Sequence, residues 1–142
     1  MTSLSFPDVN VWFALLSADH VHRAPALTWW QSGAGERIGF ARLTQMSVLR
    51  LATTAAAMNG QPLTLVEAWQ AYARLFEDDR VLLYPEPRGV EAQFRQLSQS
   101  RVASPKVWAD AYLVAFVAGY QGQLVTFDQA LKDRGADCLL LG

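Results

Sequence analysis

Apolar residues along the chain fall into two alternating patterns, short β-like runs and longer stretches with helical spacing, with no internal repeat and no low-complexity tract. Leu4 to Phe6 reads as a first strand, and Val9 to Leu16, apolar on nearly every side, as a buried helix directly after Asp8. His20 to Gln31 predicts a second helix. Ile38 and Phe40 mark a second strand, which leads into a helical stretch from Thr44 through Ala57 that stops before Asn59-Gly60. Leu65, Trp69, Tyr72 and Phe76 supply the apolar face of an amphipathic helix capped by Thr64. Val81 to Tyr84 is a third strand ended by Pro85 and Pro87, and Val90, Phe94 and Leu97 place a helix after Gly89. Ser104-Pro105 offers a capping serine and a proline suited to the first helical position, so the next helix is expected to open there and run to about Gly119. Leu124-Val125-Thr126 reads as a buried strand, Asp128 to Arg134 as a short helix and Cys138 to Leu141 as a last strand. This alternation predicts an α/β fold: one domain over residues 1–142, with about five short, mostly parallel strands and helices on both faces.

Composition narrows the picture. With 142 residues, 51% of them hydrophobic and 18% charged, the chain suits one soluble domain and can bury a core without disulfides or a structural metal. Its single cysteine, Cys138, sits in an apolar run and reads as a small buried hydrophobe, which excludes an internal disulfide framework or a Cys-rich zinc cluster. The first basic residue is Arg23, and Pro7, Asp8 and Asn10 interrupt the early hydrophobics, so neither a secretory signal nor a membrane span is expected and the cytoplasm is the expected location. A formal charge of −1 gives no whole-chain argument for nucleic-acid binding.

The chemistry is carried by three aspartates. Asp8 and Asp128 each directly follow a predicted strand, at the carboxyl ends where open α/β sheets place their ligands. Asp110 lies in the helix after Ser104-Pro105, among Trp108, Ala109, Ala111 and Tyr112, with Lys106 four residues earlier as a partner. Singly, Asp8 and Asp128 also suit helix N-caps, and Asp110 a surface ion pair. Gathered at one sheet edge they repel unless a divalent cation screens them, and hard carboxylate oxygens favour magnesium or manganese.

Four ordered segments resemble the PIN-domain ribonucleases, and more closely the VapC-type toxins of bacterial toxin–antitoxin pairs. They are Phe6-Pro7-Asp8-Val9-Asn10 with the helix that follows, Arg42-Leu43-Thr44-Gln45 followed by Leu49-Arg50-Leu51, Trp108-Ala109-Asp110-Ala111-Tyr112-Leu113, and Leu124-Val125-Thr126-Phe127-Asp128. The resemblance implies metal-binding acids at Asp8, Asp110 and Asp128, with Asn10, Thr44 and Thr126 in support. One departure stands out: Gln45 occupies the place where that family commonly has a glutamate, so a second ion would bind more weakly unless Glu77, Asp78 or Asp79 compensates.

The expectation is therefore a magnesium- or manganese-dependent endoribonuclease acting as a toxin. Asp8 and Asp110 are the principal ligands, Asp128 completes the site or holds a second ion, and Gln45 positions water or substrate. Arg42, Arg50 and Lys106 neighbour these residues and are candidate phosphate contacts. Expected partners are RNA, a cognate antitoxin protein and a second copy of the chain. The alternative is a PIN-like RNA- or protein-binding module with weak or no cleavage, because Gln45 replaces the acid. His20 and His22 are two apart and do not face each other on a helix, which argues against a histidine metal site. Aromatics at helical spacing mostly build core, but the adjacent Trp29 and Trp30 cannot share one narrow face, which places one of them at an interface.

Overall fold

In the computed structural model, which describes residues 3–134 and 137–142, the chain opens with β1 (Leu4–Pro7), α1 (Val9–Leu16) and α2 (Arg23–Thr28). A wider turn over Trp29–Gly33 leads to β2 (Arg37–Phe40), α3 (Arg42–Ala52), α4 (Leu65–Leu75) and β3 (Val81–Leu83). Then follow α5 (Val90–Leu97), α6 (Val107–Gly119), β4 (Gln123–Thr126), α7 (Gln129–Lys132) and β5 (Cys138–Leu140). The five strands form one sheet in the order β3-β2-β1-β4-β5, and every pairing is parallel.

The chain steps from β1 outward through β2 to β3, then returns to the other side of β1 for β4 and β5. The reversal lies between β1 and β4, held in register by Phe6 opposite Leu124. At such a switch point the connections leave in opposite directions and open a crevice at the carboxyl ends of the strands. Alternation along the strands sends side chains to two cores. Ile38, Phe40 and Val125 pack with Val11, Trp12, Val48 and Tyr72 from α1, α3 and α4, and the Trp12 and Phe40 rings stack at 3.8 Å. On the opposite face Phe6 and Leu124 meet Val90, Leu113, Phe116 and Leu131 from α5, α6 and α7. Gly39 makes this possible in the middle of β2, because a Cβ there would lie 2.4 Å from the Phe6 ring and 2.8 Å from that of Tyr84. Among the described residues no helix is long and apolar enough to cross a membrane.

Several boundaries differ from expectation for identifiable reasons. The second helix begins at Arg23 because the His22 amide donates to His20 Nδ1 at 3.0 Å and holds a turn there. It ends in the wider turn, where the Ala34 amide reaches back to the Trp29 carbonyl at 2.7 Å. The helix expected to reach Ala57 stops at Ala52, where the Thr53 and Thr54 hydroxyls bond the Leu49 and Arg50 carbonyls. Ser104-Pro105 forms a turn ahead of the next helix, since the Ser104 carbonyl accepts the Val107 amide at 3.1 Å, and α6 opens only at Val107. The short helix after Asp128 ends at Lys132, and the last strand at Leu140. The Thr64 cap is present, with Glu67 returning the bond, yet Leu65 and Trp69 are exposed and α4 buries Ala68, Ala71 and Tyr72 instead. Trp29 is buried, and Trp30 packs on Trp12 with the Arg80 guanidinium 5.0 Å from its ring, so neither is the bare tryptophan. The exposed indoles are Trp69 and Trp108. Cys138 is only partly buried.

Candidate active site

Pro7 ends β1, and Asp8, still extended, turns the chain into α1. Its Oδ1 accepts the amides of Asn10 at 3.1 Å and Val11 at 3.2 Å, and its Oδ2 accepts the hydroxyl of Thr126. The side chain is buried. Burial pushes its pKa above the usual carboxylate value; the bonds from Thr126, Val11 and Asn10 pull it down, and the charge of Asp128 pushes it up again.

Asp128 follows β4 in the same way. Its amide donates to Thr126 Oγ1 at 2.9 Å, and its Oδ1 accepts the Ala130 amide at 2.9 Å, capping α7. Thr126 thus ties the two strand ends together. Asp110 stands in the first turn of α6, and its partner is not Lys106 but Arg134, whose Nε lies 3.7 Å from Oδ2. Burial raises its pKa, the Arg134 charge opposes this, Asp128 adds to it, and Lys106 opposes it more weakly. Asp128 is therefore felt by both Asp8 and Asp110.

The three aspartates line one cavity of about 110 Å³ at the switch point, together with Asn10, Thr44 and Ser47. Asn10 contributes a backbone amide to Asp8 and leaves its side chain at the exposed rim. The Thr44 hydroxyl is occupied with the backbone of Ala41, donating to its carbonyl at 2.9 Å and accepting its amide at 3.0 Å. Arg50 lines an adjoining cavity with Asn10 and Ser47.

Other candidates lie elsewhere. Gln45 is buried away from the aspartates: its Oε1 accepts from Arg42 Nη1 at 2.7 Å and its Nε2 donates to the Tyr72 hydroxyl at 3.1 Å. Both Gln45 and Arg42 border other cavities, so the expected ligand and phosphate roles are not placed at the acidic centre. Asp78 is bound to Arg80 at 2.8 Å, and neither it, Glu77 nor Asp79 lines the aspartate cavity. Two residues were missed. Ser47 shares the face of α3 that carries Leu43, a helical-spacing signal; Arg134 closes the short helix predicted after Asp128, and nothing in local spacing links it to Asp110.

The donor set is chemically suited to a hard divalent ion, since three carboxylates line one small cavity and Asp8 retains oxygen lone-pair capacity beyond its three hydrogen bonds. As the side chains stand, no three acidic, histidine or cysteine groups among the described residues are close enough to hold an ion together. Arg134 is the cation that stands beside Asp110 in this structure.

Comparison with known proteins follows the same lines. The PIN domain family matches residues 5–136. Ribonuclease VapC41 of Mycobacterium tuberculosis is 43% identical over 133 residues, covering 90% of this chain and 91% of that protein. Ribonuclease VapC39 of the same organism is 31% identical over 135 residues, 89% of each chain. Among solved structures, Mycobacterium tuberculosis VapC20, described as a sarcin-ricin loop cleaving toxin, superposes with a TM-score of 0.68 over 93% of this chain and 95% of its own, at 18% identity. FitAcB from Neisseria gonorrhoeae gives 0.60 over 95% and 96%, also at 18%, and at that distance both likenesses speak for the fold alone. By sequence and by fold, this chain belongs to the PIN-domain family, in its VapC branch.

Proposed function

We propose that the protein is a magnesium- or manganese-dependent endoribonuclease, the toxin of a toxin–antitoxin pair acting in the cytoplasm. The observation that carries this reading is the convergence of Asp8, Asp110 and Asp128, from three distant segments, on one cavity at the switch point of a sheet whose relatives are named ribonucleases. Asp8, Asp110 and Asp128 would hold the ion, which supplies water activation and screens the charge that develops on a phosphodiester. Thr126 keeps Asp8 aimed into the cavity, and the two amides at the start of α1 fix its other oxygen. Arg50, lining the adjoining cavity, and Lys106, just ahead of α6 and Asp110, suit the backbone phosphates of RNA. Arg134, paired with Asp110 in this structure, would be free to contact a phosphate if Asp110 held an ion.

The protein partners of this reading are a cognate antitoxin and a second copy of the chain. Leu65, Val66 and Trp69 on α4 are exposed and provide apolar surface for such contacts. A second reading, a PIN-like RNA- or protein-binding module with weak or no cleavage, draws on Gln45, which brings no charge to the aspartates and is turned toward Tyr72.

A cleavage assay on structured RNAs with magnesium, manganese or EDTA, run beside Asp8→Asn, separates the two. Metal-dependent cleavage abolished in Asp8→Asn supports the nuclease. RNA binding without cleavage at any metal concentration overturns it in favour of the module.

A further inference from the structure

Beside the aspartates lies a groove that the reaction as proposed does not use. Between α5 and α6 the chain turns through Ser98 to Lys106 and, with Val107 and Trp108, encloses a cavity of about 300 Å³. That is the lower end of what small-ligand sites enclose. Val102, Pro105 and Trp108 make its apolar wall, and Ser98, Ser100 and Ser104 place hydroxyls around it. The Trp108 indole is 60% exposed, steadied by Phe94 in perpendicular packing at 6.1 Å. Ser98 spends its hydroxyl on the Phe94 carbonyl, and Ser100 accepts the Val102 amide while keeping its own proton to donate.

Two further observations say what fits there. From Ala92 to Ala109 the sequence carries Arg95, Arg101 and Lys106 and no acid. Arg95 is paired with Glu91 at 3.5 Å, whereas Arg101 and Lys106 make no ion pair among the described residues. The groove also neighbours the acidic centre along α6, whose successive residues line one and then the other. Ala109 and Asp110 face the aspartate cavity, Val107 and Trp108 face the groove, and the Cα atoms of Trp108 and Asp110 are at most about 7 Å apart. An open aromatic platform, hydroxyls and free cations in one acid-free strap form the pattern by which proteins hold single-stranded nucleic acid.

We propose that this groove is a nucleobase subsite, taking one unpaired base of the RNA next to the phosphate that is cleaved. The base stacks on Trp108, its polar edge meets the hydroxyls of Ser100 and Ser104, and Arg101 and Lys106 hold the flanking phosphates. The assignment rests on the ribonuclease reading of the aspartates.

The test uses the full chain with Trp108→Ala, Trp108→Phe and, as a fluorescence control, Trp69→Phe. In EDTA, a short single-stranded oligoribonucleotide is expected to quench tryptophan fluorescence in the wild type and in Trp69→Phe but not in Trp108→Ala, and an abasic version to quench less. With metal, Trp108→Ala is expected to raise KM about tenfold with kcat within about twofold and to relax the base preference at the cleavage site, and Trp108→Phe to recover most of both. A Trp108→Ala protein with wild-type melting, KM, cleavage-site preference and quenching overturns the subsite. So does one whose RNA kinetics are unchanged while its hold on the antitoxin weakens, which makes the groove a protein-docking surface. Failure of the ribonuclease reading looks different: the wild type then cleaves no RNA at all, and the quenching measurement alone decides the groove.

Discussion

The hydroxyl of Thr126 donates to Oδ2 of Asp8, 118 residues away in sequence, and accepts the amide of Asp128, so one buried side chain on β4 joins two of the three site aspartates. Thr126→Val removes both bonds at nearly constant shape and leaves a buried carboxylate without its strongest neutral partner. The expected loss is about 1–3 kcal/mol in urea unfolding at neutral pH, with Thr126→Ser keeping most of the stability. A loss within about 0.5 kcal/mol of zero for Thr126→Val would show that the bond contributes little.

Asp8 also carries a pH signature. Burial outweighs its hydrogen bonds and holds its carboxyl above the ordinary value of 3.8, so the folded protein binds that proton more tightly than the unfolded chain. Stability from this group is fully present below the unfolded pKa and is lost as pH rises through the folded one. Asp8→Asn cannot ionise, and its Oδ1 still accepts the two amides that start α1. Without metal, its melting temperature is expected to gain on the wild type from about pH 4 upward and to level off once the pH has passed the raised folded value. A difference independent of pH would remove Asp8 as the source.

Gln45 is expected to be a structural clamp rather than a ligand. Gln45→Glu keeps an oxygen for Arg42 and lets the Tyr72 hydroxyl become the donor, while the new charge stays outside the aspartate cavity. The metal concentration for half-maximal cleavage is expected to move less than about twofold. A several-fold fall would mean that the side chain turns into the site when metal binds. Gln45→Leu, by contrast, strands Tyr72 and Arg42 and is expected to cost about 1–2 kcal/mol of stability.

Arg134 is expected to compete with a divalent ion for Asp110, since it already pairs with that carboxylate. Arg134→Gln frees that carboxylate, and manganese titrated against melting temperature is expected to bind roughly fivefold more tightly, about 1 kcal/mol after allowing for the partial exposure of both side chains. Cleavage is expected to fall nonetheless, because a phosphate contact is lost. Weaker manganese binding in Arg134→Gln would show that the guanidinium organises the site for metal instead of occupying it.

The alternation of strands and helices, the parallel sheet and the position of Asp8 and Asp128 at strand ends were all legible in the sequence, because each follows from local periodicity and from where a cap must stand. What was not legible depends on contacts between distant segments. Whether Gln45 points to the aspartates or to Tyr72 is decided by the rotation of α3 against α4, and successive residues on a helix differ by about 100°. Lys106 had the right spacing to pair with Asp110 across a helical turn, but the helix begins only after it, and Arg134 arrives from just beyond α7, which packs on the same face of the sheet. Leu65 and Trp69 obey the helical pattern and still face outward, because periodicity reports a stripe and not whether anything in the chain covers it.

Because β4 inserts beside β1 only after three strands and six helices have been made, a growing chain on the ribosome reaches β3 with Asp8 lacking Thr126, Asp110 and Asp128 alike. Such a nascent chain has no acidic cavity. Messages broken before codon 128, and synthesis stalled there, therefore yield fragments with no assembled site, and the RNA being translated meets a complete one only when the second half of the sheet has closed.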